Sequence, residues 1–197
     1  IDVSDRMLAD GTLKWDAPPG RWNILRLGHT TTGEHVAAPP DAGDGLECDK
    51  FSKEAVDFHF KAFVDPLLAH LGPHAGKTFA GVTIDSWEAG KQNWTSNYPA
   101  EFKQRRGYEI ARFLPALTGR IVGSVDETER FLWDVRRTNA DLLSENFYGH
   151  FRDLCHARGL ALGGEPYGDG TFDSMEIGAK LDLPMAEFWA HGHRGDV

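Results

Sequence analysis

The chain has 197 residues, 41% hydrophobic and 26% charged, the balance of an ordinary globular fold. Its net charge of −9 argues against a nucleic-acid binder, which needs a basic face to neutralise phosphates. No apolar run reaches the roughly 20 residues of a membrane-spanning helix, so no membrane partner is expected. Ile1 in place of an initiator methionine points to a piece of a longer protein, so an absent signal peptide carries no information. The two cysteines, Cys48 and Cys155, lack metal-ligand spacing.

Residues 1–33 read as β structure. Thr12 to Trp15 alternate, Pro18-Pro19-Gly20 makes a turn, and Trp22 to Gly28 forms a strand. Residues 29–46, rich in Thr, Gly and Pro, form a loop. Ser52 is an N-cap with Glu54 in the first turn. Val56, Phe60, Phe63, Val64, Leu67, Leu68 and Leu71 then recur at helical spacing. Pro66 should kink or divide this helix, and Gly72 should stop it. Phe79 to Ile84 is a short apolar run with the character of a buried strand, ending at Asp85.

A helix starts near Asn97 with Pro99 in its first turn. Its basic residues Lys103, Arg105, Arg106 and Arg112 are interspersed with Glu101 and Glu109, the pattern of a solvated, charge-mixed face. The longest helix begins at Asp126, with Glu129 in a capping-box-like pair, and runs to Gly159. Leu160 to Gly164 is a strand ending in Glu165; after a glycine-rich loop and a helical turn, Leu181 to Met185 forms another, ending near Glu187. Strands alternating with helices imply parallel pairing. The expectation is an α/β fold that is part of a (β/α)8 TIM-type barrel, with 1–33 as the end of an accessory β region and 34–197 as the N-terminal part of the barrel. A full barrel needs about 250 residues, and its active site gathers at the C-terminal ends of the strands.

The chemistry concentrates at those ends. In Thr83 to Thr95, Asp85 and Glu88 lie three apart beside Trp87 and Trp94, with Gln92 and Asn93 close by. Sugar hydrolysis asks for such a surface: aromatic faces for rings, amides and acids for hydroxyls, and a carboxyl poised to donate a proton. Like-charge repulsion between Asp85 and Glu88, and apolar walls, would raise the pKa of one of them. The alternative is that Asp85 caps the loop and Trp87 is core. Glu165 and Glu187 each follow an apolar run and precede aromatics. Each fits a catalytic base, a calcium ligand, a sugar-hydroxyl acceptor or a buried acid bonded to loop amides. Glu47, Asp49 and Lys50 either reach the site from a loop or form a solvated helix start.

Other hydrolase patterns fail. No G-x-S-x-G elbow occurs. Asp169 to Asp173 lacks the glutamate that closes an EF-hand loop. His191-Gly192-His193 suits zinc but has no fixed third partner.

Six ordered stretches carry a resemblance: Trp15 to Gly33, Gly45 to Ala55, Ile84 to Thr95, Glu101 to Tyr108, and the GGEPYG and AEFW segments. They resemble glycoside hydrolase family 106, the α-L-rhamnosidases. The resemblance implies a secreted bacterial enzyme, periplasmic or extracellular, that removes terminal α-L-rhamnose from plant polysaccharides or glycosides with inversion. It implies an active-site Ca2+ whose ligands it does not place. Carried onto this sequence, Glu88 is the general acid and Asp85 its essential neighbour. Trp87, Asn93, Trp94, Glu47, Asp49 and Glu187 are expected to bind substrate. The family's second catalytic glutamate is expected beyond Val197, with Glu165 as the base otherwise. The expected partners are a rhamnose-containing carbohydrate and the rest of the parent chain, without which this piece should be inactive. Rival readings are a carbohydrate-binding module, a histidine-based metallohydrolase and a barrel glycosidase for another sugar.

Overall fold

The computed structural model describes residues 1–37 and 39–188, which form two compact units. One comprises Ile1–Thr30 and Ser96–Thr138, the other Thr31–Thr95 and Asn139–Val197. The helices and strands are α1 (Lys53–Leu71), β1 (Gly81–Ile84), α2 (Tyr98–Arg106), α3 (Val125–Leu142), α4 (His150–His156), β2 (Ala161–Gly164), α5 (Ser174–Gly178) and β3 (Leu183–Pro184). The mixed α/β order expected from the sequence is present, and the three strands make one parallel sheet in the order β1-β2-β3.

The first unit has an aromatic core. Tyr98, Phe102, Ile110, Phe131 and Val135 are buried. Phe102 meets Tyr108 edge-on at 5.0 Å between centroids, and Phe113 stacks on Phe131 at 5.3 Å. The polar tips find partners: the Tyr98 hydroxyl donates to the Val135 carbonyl at 3.3 Å and Tyr108 to Asp134 at 2.8 Å. Lys103 pairs with Glu109 at the surface, whereas Arg105 and Glu101 pair partly buried, so the solvated, charge-mixed face expected here holds only in part.

Three local expectations change here. Trp22 to Gly28 forms no strand; Ile24 is 61% exposed, and only Met7 and Leu13 make an isolated bridge in this segment. A strand exists only by pairing, and among the described residues no neighbouring backbone completes a ladder with it. The helix from Asn97 ends at Arg106, short of Arg112, and Ala111–Thr118 winds into a separate 3-10 helix containing Pro115, whose missing N–H disfavours a regular α-helix. The capping box of α3 lies earlier than Asp126 and Glu129. The Ser124 hydroxyl accepts from Glu127 N–H at 3.1 Å, and the Glu127 carboxylate accepts from Ser124 N–H at 2.9 Å.

In the second unit the Ser52 cap forms as expected, its hydroxyl accepting from Ala55 N–H at 3.3 Å. Pro66 sits inside α1 without dividing it. Val56, Phe60 and Val64, four residues apart, bury one stripe of α1 against Phe151, Cys155, Leu160 and Leu162. The single long helix expected over 126–158 instead changes pitch. Leu143–Gly149 is a π-helix between α3 and α4. Within it Asn146 donates to the Phe51 carbonyl at 2.8 Å, which ties it to the chain entering α1.

β1 and β2 run in register from Gly81 opposite Ala161 to Ile84 opposite Gly164, and β3 joins with Leu183 opposite Gly163. Asp182 secures the entry to β3. Its backbone N–H donates to Leu162 O at 2.9 Å, and its carboxylate accepts from Leu162 N–H at 2.8 Å and bonds His156 at 2.9 Å. The Leu162 N–H bond first, then His156, holds this carboxyl below the usual aspartate range.

Asp182→Ala strips the bond from the N–H of fully buried Leu162, and a loss of about 1–3 kcal/mol in urea unfolding is expected. Because the folded-state pKa of Asp182 is lowered, its contribution is present above the unfolded-state value. It disappears as pH falls through the folded one, so the wild-type advantage over Asp182→Ala should shrink on acidification below about pH 4.

Candidate active site

The sheet register brings the strand-end acids together. Asp85 follows Ile84 and Glu165 follows Gly164, and those two residues are paired. Glu165 N–H donates to Ile84 O at 3.0 Å, and Met185 N–H to Gly164 O at 2.8 Å. Neighbouring strands lie about 4.8 Å apart, so Asp85 and Glu165 emerge side by side at the C-terminal edge, and Glu187 follows the next strand. Asp85 and Glu187 are exposed, and Glu165 is half-buried.

Beyond β1 the chain keeps close to the loop after β2. Trp87 N–H donates to Tyr167 O at 2.8 Å, opposite Gly168. Gly168 has φ +118°, and a Cβ there would stand 2.5 Å from Trp87 O, so only glycine permits this approach. The Trp87 indole N–H then donates to Gly90 O at 2.6 Å, closing a tight turn. Gly90 sits at φ +65°, where a Cβ would collide with the Glu34 side chain. Glu88 occupies this turn with its side chain exposed.

Trp87 itself is 6% exposed, edge-on to Phe172 at 5.8 Å, with the Lys50 ammonium 5.4 Å from its ring centroid. The alternative reading of Trp87 as a core residue therefore describes its surroundings, although it also lines the cavity. That cavity, about 740 Å³, is bordered by Glu47, Asp49, Lys50, His59, Asp85 and Glu88.

Glu47, Asp49 and Lys50 are not a solvated helix start. Lys50 is buried and pairs with Glu47. Asp49 accepts from Phe51 N–H at 3.0 Å, from the Gln92 amide, and from the Thr95 hydroxyl at 2.6 Å. Asn93 is exposed and Trp94 half-buried.

Three contributors have roles that the sequence did not assign. His59 faces the cavity from α1, and desolvation, then the charge of Lys50, holds its pKa below the ordinary histidine value. Gln92 bonds back to the start of α1. Tyr167 lies by Glu165, and burial first, then that carboxylate, pushes its pKa up to about 12, so it stays a neutral phenol. Helical spacing from Ser52 could have flagged His59; no local pattern announces the other two roles. Trp189, His191 and His193 lie outside the described residues.

The buried Oε2 of Glu165 and the hydroxyl of Tyr167 have no hydrogen-bond partner. They are oxygen donors of the type calcium prefers, but that ion takes six to eight. Among the described residues no three His, Cys, Asp or Glu side chains converge as a metal site. These residues therefore do not fit a complete calcium site.

Asp85 and Glu88 border this cavity at the C-terminal edge of a parallel sheet, and comparison with known proteins gives the class. A family model described as alpha-L-rhamnosidase, glycoside hydrolase family 106, matches residues 1–197. A protein of Formosa agariphila named putative beta-glucuronidase is 49% identical over 193 residues, 98% of this chain and 16% of that protein. The structure of a rhamnosidase from Novosphingobium sp. PP1Y superposes with a TM-score of 0.84 at 34% identity, over 98% of this chain and 19% of that one. The chain thus spans less than a fifth of either relative's length. It belongs to glycoside hydrolase family 106.

Gly168→Ala forces a side chain into the 2.5 Å approach to Trp87 O at a positive φ. A loss of about 1–3 kcal/mol is expected in thermal or urea unfolding, the range for a strained backbone position.

Proposed function

We propose that this chain supplies the acid half of the active site of an inverting α-L-rhamnosidase. The observation that carries the reading is the placement of Glu88. It is an exposed carboxylate in a turn held on the adjacent strand's loop, at the rim of a cavity that also borders Asp85, in a chain of the rhamnosidase family. Glu88 protonates the glycosidic oxygen as the bond breaks. Asp85, which accepts from Ser86 N–H at 2.9 Å, fixes the start of the acid-bearing segment and is available to a sugar hydroxyl. A second carboxylate on the opposite face of the sugar activates water, about 6.5–9.5 Å from the acid. Glu165 is the candidate within this chain, and the other is a glutamate of the parent beyond residue 197. Trp94, Asn93, Glu47 and Glu187 complete the proposed sugar-binding surface.

The three parallel strands are proposed to belong to a (β/α)8 barrel closed by the rest of the parent protein. Strand-end acids are where such barrels keep their chemistry, and β1 and β3 each have one sheet neighbour among the described residues. The proposed enzyme uses calcium, and among the described residues no three His, Cys, Asp or Glu side chains gather to hold it. A periplasmic or extracellular location suits an enzyme acting on plant glycans. No described helix is long and apolar enough to cross a membrane.

The name of the Formosa relative favours a second reading, a glycosidase of the same site acting on a β-glucuronide. Release of nitrophenol from aryl α-L-rhamnosides and β-D-glucuronides by the full parent, with and without a chelator, separates the two. The rhamnoside should be cleaved, with a chelator-sensitive rate, and Glu88→Gln should lose at least ~100-fold, the scale of general acid catalysis. Cleavage of the glucuronide alone selects the second reading, and an undiminished Glu88→Gln removes the acid assignment.

A further inference from the structure

The segment that carries Glu88 is held at both ends, and the two holds differ in kind. On the β1 side Trp87 N–H bonds Tyr167 O, a backbone contact that many sequences could make. On the far side the hold comes from one carboxylate. Asp49 Oδ2 accepts from the Thr95 hydroxyl at 2.6 Å, and Asp49 Oδ1 accepts from the Gln92 side-chain amide. Gln92 closes the loop in return, its Oε1 accepting from Lys50 N–H at 3.1 Å and its amide also donating to Trp94 O at 3.3 Å. Thr95 and Lys50 are both buried, so these bonds are shielded from water. The clasp spans more than forty residues of sequence, and it rests on a rigid base. Phe51 N–H donates to the same Asp49 oxygen at 3.0 Å, Ser52 caps α1, and Asn146 of the π-helix holds Phe51 O.

We infer that Asp49 is a positioning residue that fixes Glu88 by clasping Gln92 and Thr95, and that it is not itself a sugar ligand. The inference rests on the reading of Glu88 as general acid. Both of its carboxylate oxygens already serve protein donors, which removes the main reason to assign it to substrate. The demand on Asp49 is for an acceptor at both ends, and a carboxylate offers acceptors only. Asparagine meets most of this demand. Its oxygen serves Phe51 and Gln92, and its amide donates to the Thr95 hydroxyl, which can accept. Alanine meets none of it. A geometric shift of about 1 Å at a reacting group is enough to cost ~100-fold.

Leaving groups distinguish a positioned acid from general damage. A dinitrophenol departs with little protonic help, whereas a simple phenol or alcohol needs the acid. The experiment measures kcat and KM of the full parent enzyme on a series of aryl glycosides of falling leaving-group acidity. The sugar is whichever of rhamnose or glucuronic acid the enzyme accepts. Wild type, Glu88→Gln, Asp49→Ala, Asp49→Asn and Thr95→Val are compared. Thr95→Val, nearly isosteric, removes one arm of the clasp if Asp49→Ala does not fold.

The expected result is a steep leaving-group dependence in Glu88→Gln, reproduced by Asp49→Ala. The latter should lose ~100-fold on the poorest leaving group, less than ~10-fold on the dinitrophenyl glycoside, and show little change in KM. Thr95→Val should show a weaker version of the same slope, and Asp49→Asn should remain within ~10-fold of wild type throughout. A loss in Asp49→Ala that is equal across the series, or confined to KM, while Glu88→Gln keeps its slope, overturns the positioning role and leaves the acid reading standing. A flat series in Glu88→Gln overturns the acid reading and this inference with it.

Discussion

Four residues of β1 lie in parallel register with four of β2, ending with Ile84 opposite Gly164. The strand-end part of the candidate site is set from that last pair. It fixes the level at which Asp85 and Glu165 leave the sheet, and the Glu165 N–H bond to Ile84 O holds that level. A slip of one residue would turn each side chain to the other face of the sheet. The slip would also misalign Trp87 with Gly168, where the backbones come too close for any side chain. The register therefore sets both the pair of acids and the turn on which Glu88 is carried.

Around this pair the second unit uses burial to support polar precision. The α1 stripe of Val56, Phe60 and Val64 packs under the sheet with Phe151 and Leu162, and it brings the N-terminus of α1 to the cavity rim. There the polar groups are satisfied almost entirely by one another: Asp49 by Thr95 and Gln92, Lys50 by Glu47, Asn146 by the Phe51 carbonyl. Buried polar networks of this kind cost much if half made and specify one geometry if complete. The π-helix belongs to this network. Wider helical turns of this type recur at functional sites, and here it lets Asn146 reach the carbonyl and Phe147 face the Lys50 ammonium at 5.5 Å.

Glu165 and Tyr167 stand at the strand ends with buried oxygens that lack partners, as do the Ser144 hydroxyl and Arg152 Nε elsewhere in the unit. Unsatisfied polar atoms in a core are costly, so their presence at the strand ends marks the point where the network is open. The neutral phenol of Tyr167 and the carboxylate beside it face the same edge as Asp85. That contrast separates the acids that organise the loop, such as Asp49, from those left available at the strand ends.

The sequence by itself determined the local elements and the family. Ser52 capped α1, Gly72 ended it, and the short apolar runs before Asp85 and Glu165 became β1 and β2, because caps and periodicity are properties of neighbouring residues. Asp85 and Glu165 were legible as strand-end residues for the same reason, and Glu88 as an acid of the loop that follows β1. The strand expected at Trp22 to Gly28 did not form, and the uniform helix over 126–158 acquired a π-helical stretch. Each depends on a partner distant in sequence. Only the tertiary structure decided that Trp87 is a buried wall and that Asp49 faces Gln92 and Thr95. Hydrogen bonds between residues more than forty positions apart leave no periodic trace in a sequence; they exist only once the segment before α1 and the loop after β1 have been brought together in the fold.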